Sequence, residues 1–253
     1  MKKIFSKHYQ IESPWFQIDN KLRILHLSDL HIKERTRLDY VYKTIENYQP
    51  NLAVLTGDYV CYDTDSLHRV TEFLLKIKIP KFATLGNHDH WTDPGAVINS
   101  LHEGGCIVLQ NDSAIFKHTG GEIFLVGIDD RVTGNDRVDE AFNEVPAGKT
   151  CIVLSHVGDV IEDIKNHKPA IILAGHTHAG QIKIPYLTKR LLNAYGLKYH
   201  HGFYQYKEKL VYVSSGMGES VPLRWRSPQE ICTFDFTYSS NPSYKLIESG
   251  LVT

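Results

Sequence analysis

Apolar residues in this chain fall into two kinds of segment, short continuous runs and stripes with helical spacing. Leu22–Leu27 (LRILHL), Leu52–Leu55 (LAVL) and Lys81–Leu85 are short runs that predict buried strands. Between them, residues 37–48 place Leu38, Tyr42 and Ile45 on one helical face, and Pro50 closes the segment. Residues 65–78 place Leu67, Val70, Phe73, Leu74 and Ile77 on one stripe, with Asp65 as the expected cap. A further helix is predicted from Pro94 to His102, stopping at Gly104-Gly105. The second half is richer in strand patterns: Cys106–Leu109, Ala114–Lys117, Ile123–Ile128, Thr150–Leu154, Ala170–Leu173, Leu210–Ser214 and Ile231–Phe236. A turn at Thr119-Gly120-Gly121 joins two of these, and a short helix is expected over Asp136–Asn143. Strand–helix alternation followed by mostly strands predicts an α/β chain of two packed sheets with covering helices.

Two segments fall outside this pattern. Residues 1–20 read as an N-terminal arm packing at a sheet edge. Residues 185–209 read as an insertion, an aromatic and basic loop holding Tyr186, Tyr195, Tyr199, Phe203, Tyr204 and Tyr206 with Lys189, Arg190, Lys198, Lys207 and Lys209. It reads as a surface loop or as an arm that contacts substrate or membrane.

Composition narrows the function classes. The 253 residues suit a single domain. Lys+Arg number 28 against 29 Asp+Glu, so no dominant basic field points to a nucleic-acid partner. With 42% hydrophobic and 23% charged residues the chain is globular. No apolar run approaches the roughly 20 residues of a membrane helix. Met1–Phe16 has lysines but no apolar core of a signal peptide, which predicts a cytoplasmic chain. Cys61, Cys106, Cys151 and Cys232 are widely spaced and read as buried thiols. The unusual number is 14 histidines beside 2 methionines, because histidine is a frequent metal ligand.

Some of these histidines share one address. Asp29-Leu30-His31 follows the strand ending at Leu27, and Gly57-Asp58 the strand ending at Leu55. Gly86-Asn87-His88-Asp89 follows Leu85, His156 follows Leu154, and Gly175-His176-Thr177-His178 follows Leu173. Ligands of α/β sheets bind beyond the carboxyl ends of strands. In Asp29-x-His31 and His176-x-His178, alternate side chains of an extended segment point the same way and can converge on one ion or on neighbouring ions. Two carboxylates, one amide and four imidazoles suit Mn²⁺, Fe or Zn²⁺, and exceed what one tetrahedral ion needs.

The ordered series D-x-H, G-D, G-N-H-D, H and G-H-x-H, from Asp29 to His178, resembles the calcineurin-like metallophosphoesterase superfamily. The G-H-T-H-A-G-Q form, Gly216-Met217-Gly218-Glu219-Ser220 and Pro222-Leu223-Arg224 are similar to a branch holding YkuE-like phosphoesterases and the chlamydial type of UDP-2,3-diacylglucosamine pyrophosphatase. Ala179 departs from the glycine usual at that position. The resemblance implies a four-layer α/β/β/α sandwich of two mixed sheets and a dinuclear centre. Asp29, His31 and His178 would bind the first metal, Asn87, His156 and His176 the second, and Asp58 both. His88 matches the catalytic histidine, beside the phosphoryl group. Two ions can stabilise the attacking and leaving oxygens of an in-line displacement.

The resemblance implies hydrolysis of a phosphodiester or pyrophosphate bond in a small-molecule or lipid-linked substrate, with a UDP-diacylglucosamine-like nucleotide-linked one as the specific expectation. A cyclic-nucleotide phosphodiesterase, a phosphoprotein phosphatase and a non-catalytic scaffold on the same fold are the competing readings. Asp89 is expected to orient His88 or a ligand. His26 reads as a core histidine; His8, His68, His102, His118 and His167 read as surface residues. His90 and Trp91 stand open between pocket wall and plain packing, and Arg224 and Arg226 between a fork on substrate phosphate and structural pairing.

Overall fold

The structure is a computed structural model that describes residues 4–221 and 223–252. Its strands are β1 (Ile4–Ser13), β2 (Leu22–Leu27), β3 (Leu52–Thr56), β4 (Lys81–Thr84), β5 (Cys106–Val108), β6 (Asp112–His118), β7 (Gly121–Ile128), β8 (Cys151–Ser155), β9 (Ile171–Ala174), β10 (Gly202–Tyr206), β11 (Lys209–Val213), β12 (Gln229–Tyr238) and β13 (Ser243–Val252). The helices are α1 (Asp39–Tyr48), α2 (Leu67–Lys76), α3 (Asn87–Thr92), α4 (Pro94–Glu103), α5 (Val138–Ala141) and α6 (Leu187–Ala194). One sheet has seven strands in the order β13-β1-β12-β2-β3-β4-β5, the other six in the order β10-β11-β9-β8-β7-β6. Each mixes parallel and antiparallel pairs.

The period of two along each strand explains the layers. Leu22, Ile24, Leu52, Val54 and Phe82 face inward and meet Ile123, Leu125, Ile152, Leu154, Ile171 and Leu173 of the second sheet. The alternate residues Leu25, Leu27, Ala53, Leu55 and Ala83 face outward onto Val41 of α1, Val70, Phe73 and Leu74 of α2, and Val97 and Leu101 of α4. On the far side, Phe124, Val126, Val153 and Ile172 pack on Ala141 of α5 and on Val160 and Ile161 of a short 3₁₀ turn. Burial on both faces is why these strands read as continuous apolar runs. The result is the expected α/β/β/α sandwich.

Three expectations change. The N-terminal arm is not at an edge: β1 lies between β12, which it meets in parallel, and β13, which forms the antiparallel edge. The 185–209 segment is not all loop, because β10 pairs with β11 and ends the six-stranded sheet. Asp65 does not cap α2; Ser66 occupies that position and makes no side-chain cap bond. By contrast, Asp93 caps α4 through Ala96 N at 3.0 Å, ahead of Pro94 in the first turn. His8 is buried, within 3.1 Å of Asp235 and edge-on to Tyr48, because β1 is internal. The cysteines are free and buried.

Candidate metal centre

The parallel strands β2, β3 and β4 of one sheet and β8 and β9 of the other end at a common place. The chain must turn sharply there, and it does so through strained backbone. Asp29, His31, Asp58, His176 and His178 all have positive φ, at 51°, 42°, 59°, 71° and 48°. Left-handed backbone costs a non-glycine residue about 1–2 kcal/mol. Such strain persists where surrounding contacts over-determine it, typically at functional sites.

The strained loops bring seven side chains together. Ligand atoms of Asp29, His31, Asp58 and His178 all lie within 4.8 Å of one another. His31 Nε2 is 3.1 Å from His178 Nε2 and 3.6 Å from Asp58 Oδ2. A second group surrounds His156 Nε2, which lies 3.3 Å from Asp58 Oδ2, 3.1 Å from Asn87 Oδ1 and 3.2 Å from His176 Nδ1. Asp58 therefore stands between the two groups.

Backbone carbonyls fix the ring orientations. His31 Nδ1 donates to Val60 O at 3.1 Å, and His156 Nδ1 to Thr56 O at 2.7 Å, so each Nε2 points into the cluster. Ser28 Oγ donates to Asp29 Oδ2 at 2.6 Å and accepts from Thr56 Oγ1 at 2.8 Å, and Thr56 in turn meets His26 Nε2 at 2.9 Å. His26 is a core histidine, as expected, and it also ends this hydrogen-bond chain to Asp29. Arg224 Nη2 approaches His178 Nδ1 at 2.8 Å; an arginine only donates, so neutral His178 carries its proton on Nε2, inside the cluster. The same Nη2 also donates to the carbonyl of Gly218, and Nη1 donates to the carbonyls of Ser215 and Ser227. Arg224 is thus a structural clamp on the 215–227 loop; Arg226 lies over the Trp225 ring. Pro222 lies outside the described residues.

Electrostatics make this cluster suited to cations. Loss of hydration holds His31 down to about 4 and His176 to about 3, and drives His178 well below its usual value. These rings are neutral; His31, with its proton on Nδ1, presents the Nε2 lone pair to the cluster, whereas His178 would have to give up its Nε2 proton to an incoming cation. Burial raises Asp29 to about 6, helped by the negative charge of Asp58. Burial opposes ionisation of Asp58 as well, yet His156 and then His31 hold it well below the carboxylate range. His156 is the counterpart: burial disfavours its charge, but Asp58 and then Asp29 push it well above its usual value. The carboxylates thus draw a proton onto His156, which is the response of a site that favours positive charge. Buried oxygen and imidazole donors in this number fit divalent first-row ions.

Asp89 does not orient His88. Its carboxylate accepts from the backbone N–H of Asp58 at 2.8 Å, Tyr59 at 2.9 Å and Gly86 at 2.9 Å, stapling the β3 and β4 loops together. His88 is placed by other bonds: its N–H donates to Asp58 Oδ1 at 2.9 Å and its Nδ1 to Cys61 O at 2.6 Å. Its ring stands 4.8 Å from that of His31. Two exposed aromatic side chains flank it, Tyr62 at 4.7 Å and Trp91 at 5.2 Å. Trp91 is therefore beside the site, whereas His90 pairs with Asp129 at 2.8 Å. Tyr62 was not legible as a site residue, since no motif includes it. A cleft of about 410 Å³ opens beside His31, with Ile4, Tyr40, Met217 and Val252 as apolar wall and Lys33, Arg35, Arg37 and Glu219 as charged lining, Arg37 being paired with Asp39.

Known proteins resemble this chain over most of its length. Metallophosphoesterase YkuE of Bacillus subtilis is 32% identical over 84% of this chain and 78% of its own length. The UDP-2,3-diacylglucosamine pyrophosphatase LpxG of Chlamydia trachomatis is 26% identical over 86% of this chain and 84% of its own. Phosphodiesterase YaeI of Escherichia coli is 28% identical over 88% and 89%. Among solved structures, the 5'-nucleotidase precursor of Thermus thermophilus superposes with a TM-score of 0.54 at 16% identity, over 92% of this chain and 55% of that one, which shows a shared fold. Residues 22–180 match the family profile described as calcineurin-like phosphoesterase, a span containing every residue of the strained cluster. The chain belongs to the calcineurin-like phosphoesterases, metal-dependent hydrolases of phosphoric esters.

Proposed function

We propose that residues 1–253 act as one catalytic domain, a dinuclear phosphoesterase that cleaves a phosphodiester or pyrophosphate bond in a nucleotide-linked or lipid-linked substrate. Asp29, His31, Asp58 and His178 would hold one divalent ion, and Asp58, Asn87, His156 and His176 the other. When bound, such ions supply the positive charge that stabilises the attacking and leaving oxygens in phosphoryl transfer. The observation that carries this reading is Asp58, whose Oδ2 lies 3.6 Å from His31 Nε2 and 3.3 Å from His156 Nε2, between the two donor groups.

The remaining roles follow from this chain's own groups. His88 Nδ1 donates to Cys61 O, which leaves Nε2 free to hold a proton for the departing oxygen. Tyr62 and Trp91 beside it offer faces for a planar leaving group such as a nucleobase. The cleft next to His31 combines apolar wall with Lys33, Arg35 and Arg37, a pairing that suits a phosphate joined to an apolar chain. The relative named UDP-2,3-diacylglucosamine pyrophosphatase supports a nucleotide-linked and lipid-linked diphosphate, and the one named phosphodiesterase supports cleavage of a phosphodiester.

The test is hydrolysis of a bis-aryl against a mono-aryl chromogenic phosphate with Mn²⁺, Fe²⁺ or Zn²⁺, followed by UDP-diacylglucosamine, cyclic nucleotides and phosphopeptides. Preference for the bis-aryl ester and turnover of a nucleotide- or lipid-linked diphosphate are expected. Turnover of phosphopeptides alone, or of nothing with any metal, overturns the proposal.

A further inference from the structure

The helix α6 has no buried residue, although it carries leucines at helical spacing. Tyr186 is 93% and Tyr195 82% exposed at its two ends, and Leu187 and Leu191, one turn apart, are also exposed. The exposed Ile184 precedes them. This face is joined to the 221–226 loop through a bridge between Ile182 and Trp225, with Lys183 N donating to Trp225 O at 2.9 Å and Trp225 N to Gln181 O at 2.9 Å. Trp225 is exposed as well. Exposed apolar residues gathered on two joined segments mark an interaction surface rather than single scattered residues.

Charge identifies what covers it. Residues 178–197, the stretch that carries α6, hold Lys183, Lys189 and Arg190 and neither Asp nor Glu, in a chain whose net charge is −1. Lys183, Lys189, Arg190 and Arg226 are exposed around the apolar residues, and none of them is ion-paired among the described residues. Leucine and isoleucine ringed by tyrosine, tryptophan and unpaired cations form the pattern of an interfacial helix, with apolar groups below the headgroups and aromatic and basic groups at their level. A protein partner would need a continuous acidic and apolar counterface, whereas an anionic bilayer supplies both at once.

We infer that α6 and the Trp225 loop dock this protein on an anionic lipid surface. The docking face continues into the metal cluster: Ile182 is four residues past His178, and a Cβ added to Gly180 between them would meet Thr188 of α6 at 2.2 Å. Bound in this way, the protein would present the mouth of the cluster to the bilayer. Basic side chains near an anionic surface add to binding, and salt screens that contribution.

Flotation of the full chain with phosphatidylcholine vesicles, and with equal parts of phosphatidylcholine and phosphatidylglycerol, tests this. The protein should float only with the anionic vesicles and release at high salt. Leu191→Glu and the pair Lys189→Glu with Arg190→Glu should each reduce the floated fraction about tenfold, with unchanged circular dichroism and unchanged turnover of a soluble aryl phosphate. Protein remaining at the bottom of the gradient with anionic vesicles, or variants that float like the parent, overturns the inference. So does a lipid-free dimer that Leu191→Glu dissolves, since the face would then belong to a second copy. Flotation is read without turnover, so a failed hydrolase assay is a separate result.

Discussion

Gly216→Ala probes how tightly the 216–218 loop holds the first donor group. Gly216 has φ +73°, and a Cβ there would lie 2.6 Å from Asp29 Cβ and 2.9 Å from Asp29 Oδ2. Two costs add. Left-handed backbone costs alanine about 1 kcal/mol. Forcing a methyl into a packed site costs about 1–3 kcal/mol more. The expected destabilisation is about 2–4 kcal/mol, a large share of the roughly 5–15 kcal/mol of a typical domain. Carbon atoms settle about 3.5–4.0 Å apart, so Asp29 or the loop must yield by about 1 Å. A displacement of that size near reacting groups costs about 100-fold in rate. Gly148→Ala is the control, because Gly148 has φ +79° with nothing within 4 Å of a Cβ. It should lose only about 1 kcal/mol and no activity. Urea unfolding and turnover of a bis-aryl phosphate read both quantities. If Gly216→Ala matches Gly148→Ala in stability and rate, the close approach to Asp29 is not what the glycine serves.

Three further expectations follow. Asp58→Ala and His88→Ala should each remove most activity, but only Asp58→Ala should also lose bound metal by elemental analysis; parent-level turnover in either variant refutes its role. Ala179 sits at φ 53°, so Ala179→Gly should raise the urea midpoint, relief of left-handed strain outweighing glycine's chain entropy by about 0.5–1 kcal/mol; a lowered midpoint contradicts this. Burial alone would raise the Glu230 carboxyl, but His201 and the Lys7 ammonium hold it well below its usual 4.5. A depressed carboxylate stabilises fully above its unfolded value, so stability should fall as pH drops below about 4.5, and Glu230→Gln should flatten that fall; parallel profiles for parent and variant would reject the linkage.

The strand runs fixed much of the architecture in advance. Leu52–Leu55 is apolar at every position and Leu22–Leu27 at all but Arg23 and His26, so each must lie between two layers, and the helical stripes between them must cover one side. The order of Asp29, Asp58, Asn87, His156, His176 and His178 at strand ends was legible for the same reason, because those ends of parallel strands share one rim. What stayed hidden depended on contacts distant in sequence. Residues 4–13 look like an arm because their partners β12 and β13 lie more than 200 positions away. His8 looks like a surface histidine until Asp235 is placed beside it. Asp89 reads as orienting His88 or a ligand, and only the fold decides between them: its carboxylate accepts from the N–H of Asp58, a proposed ligand, and of Tyr59 on another loop.

The sequence by itself determined which residue types could bind metal, and that strands would deliver them to a common edge. Only the tertiary structure decided how they meet. Two sheets packing face to face bring Asp58 of one between His31 of the same sheet and His156 of the other. The same packing leaves α6 without a buried face. Periodicity specifies which side of an element is apolar; the element that side meets, or its meeting none, is settled by long-range packing.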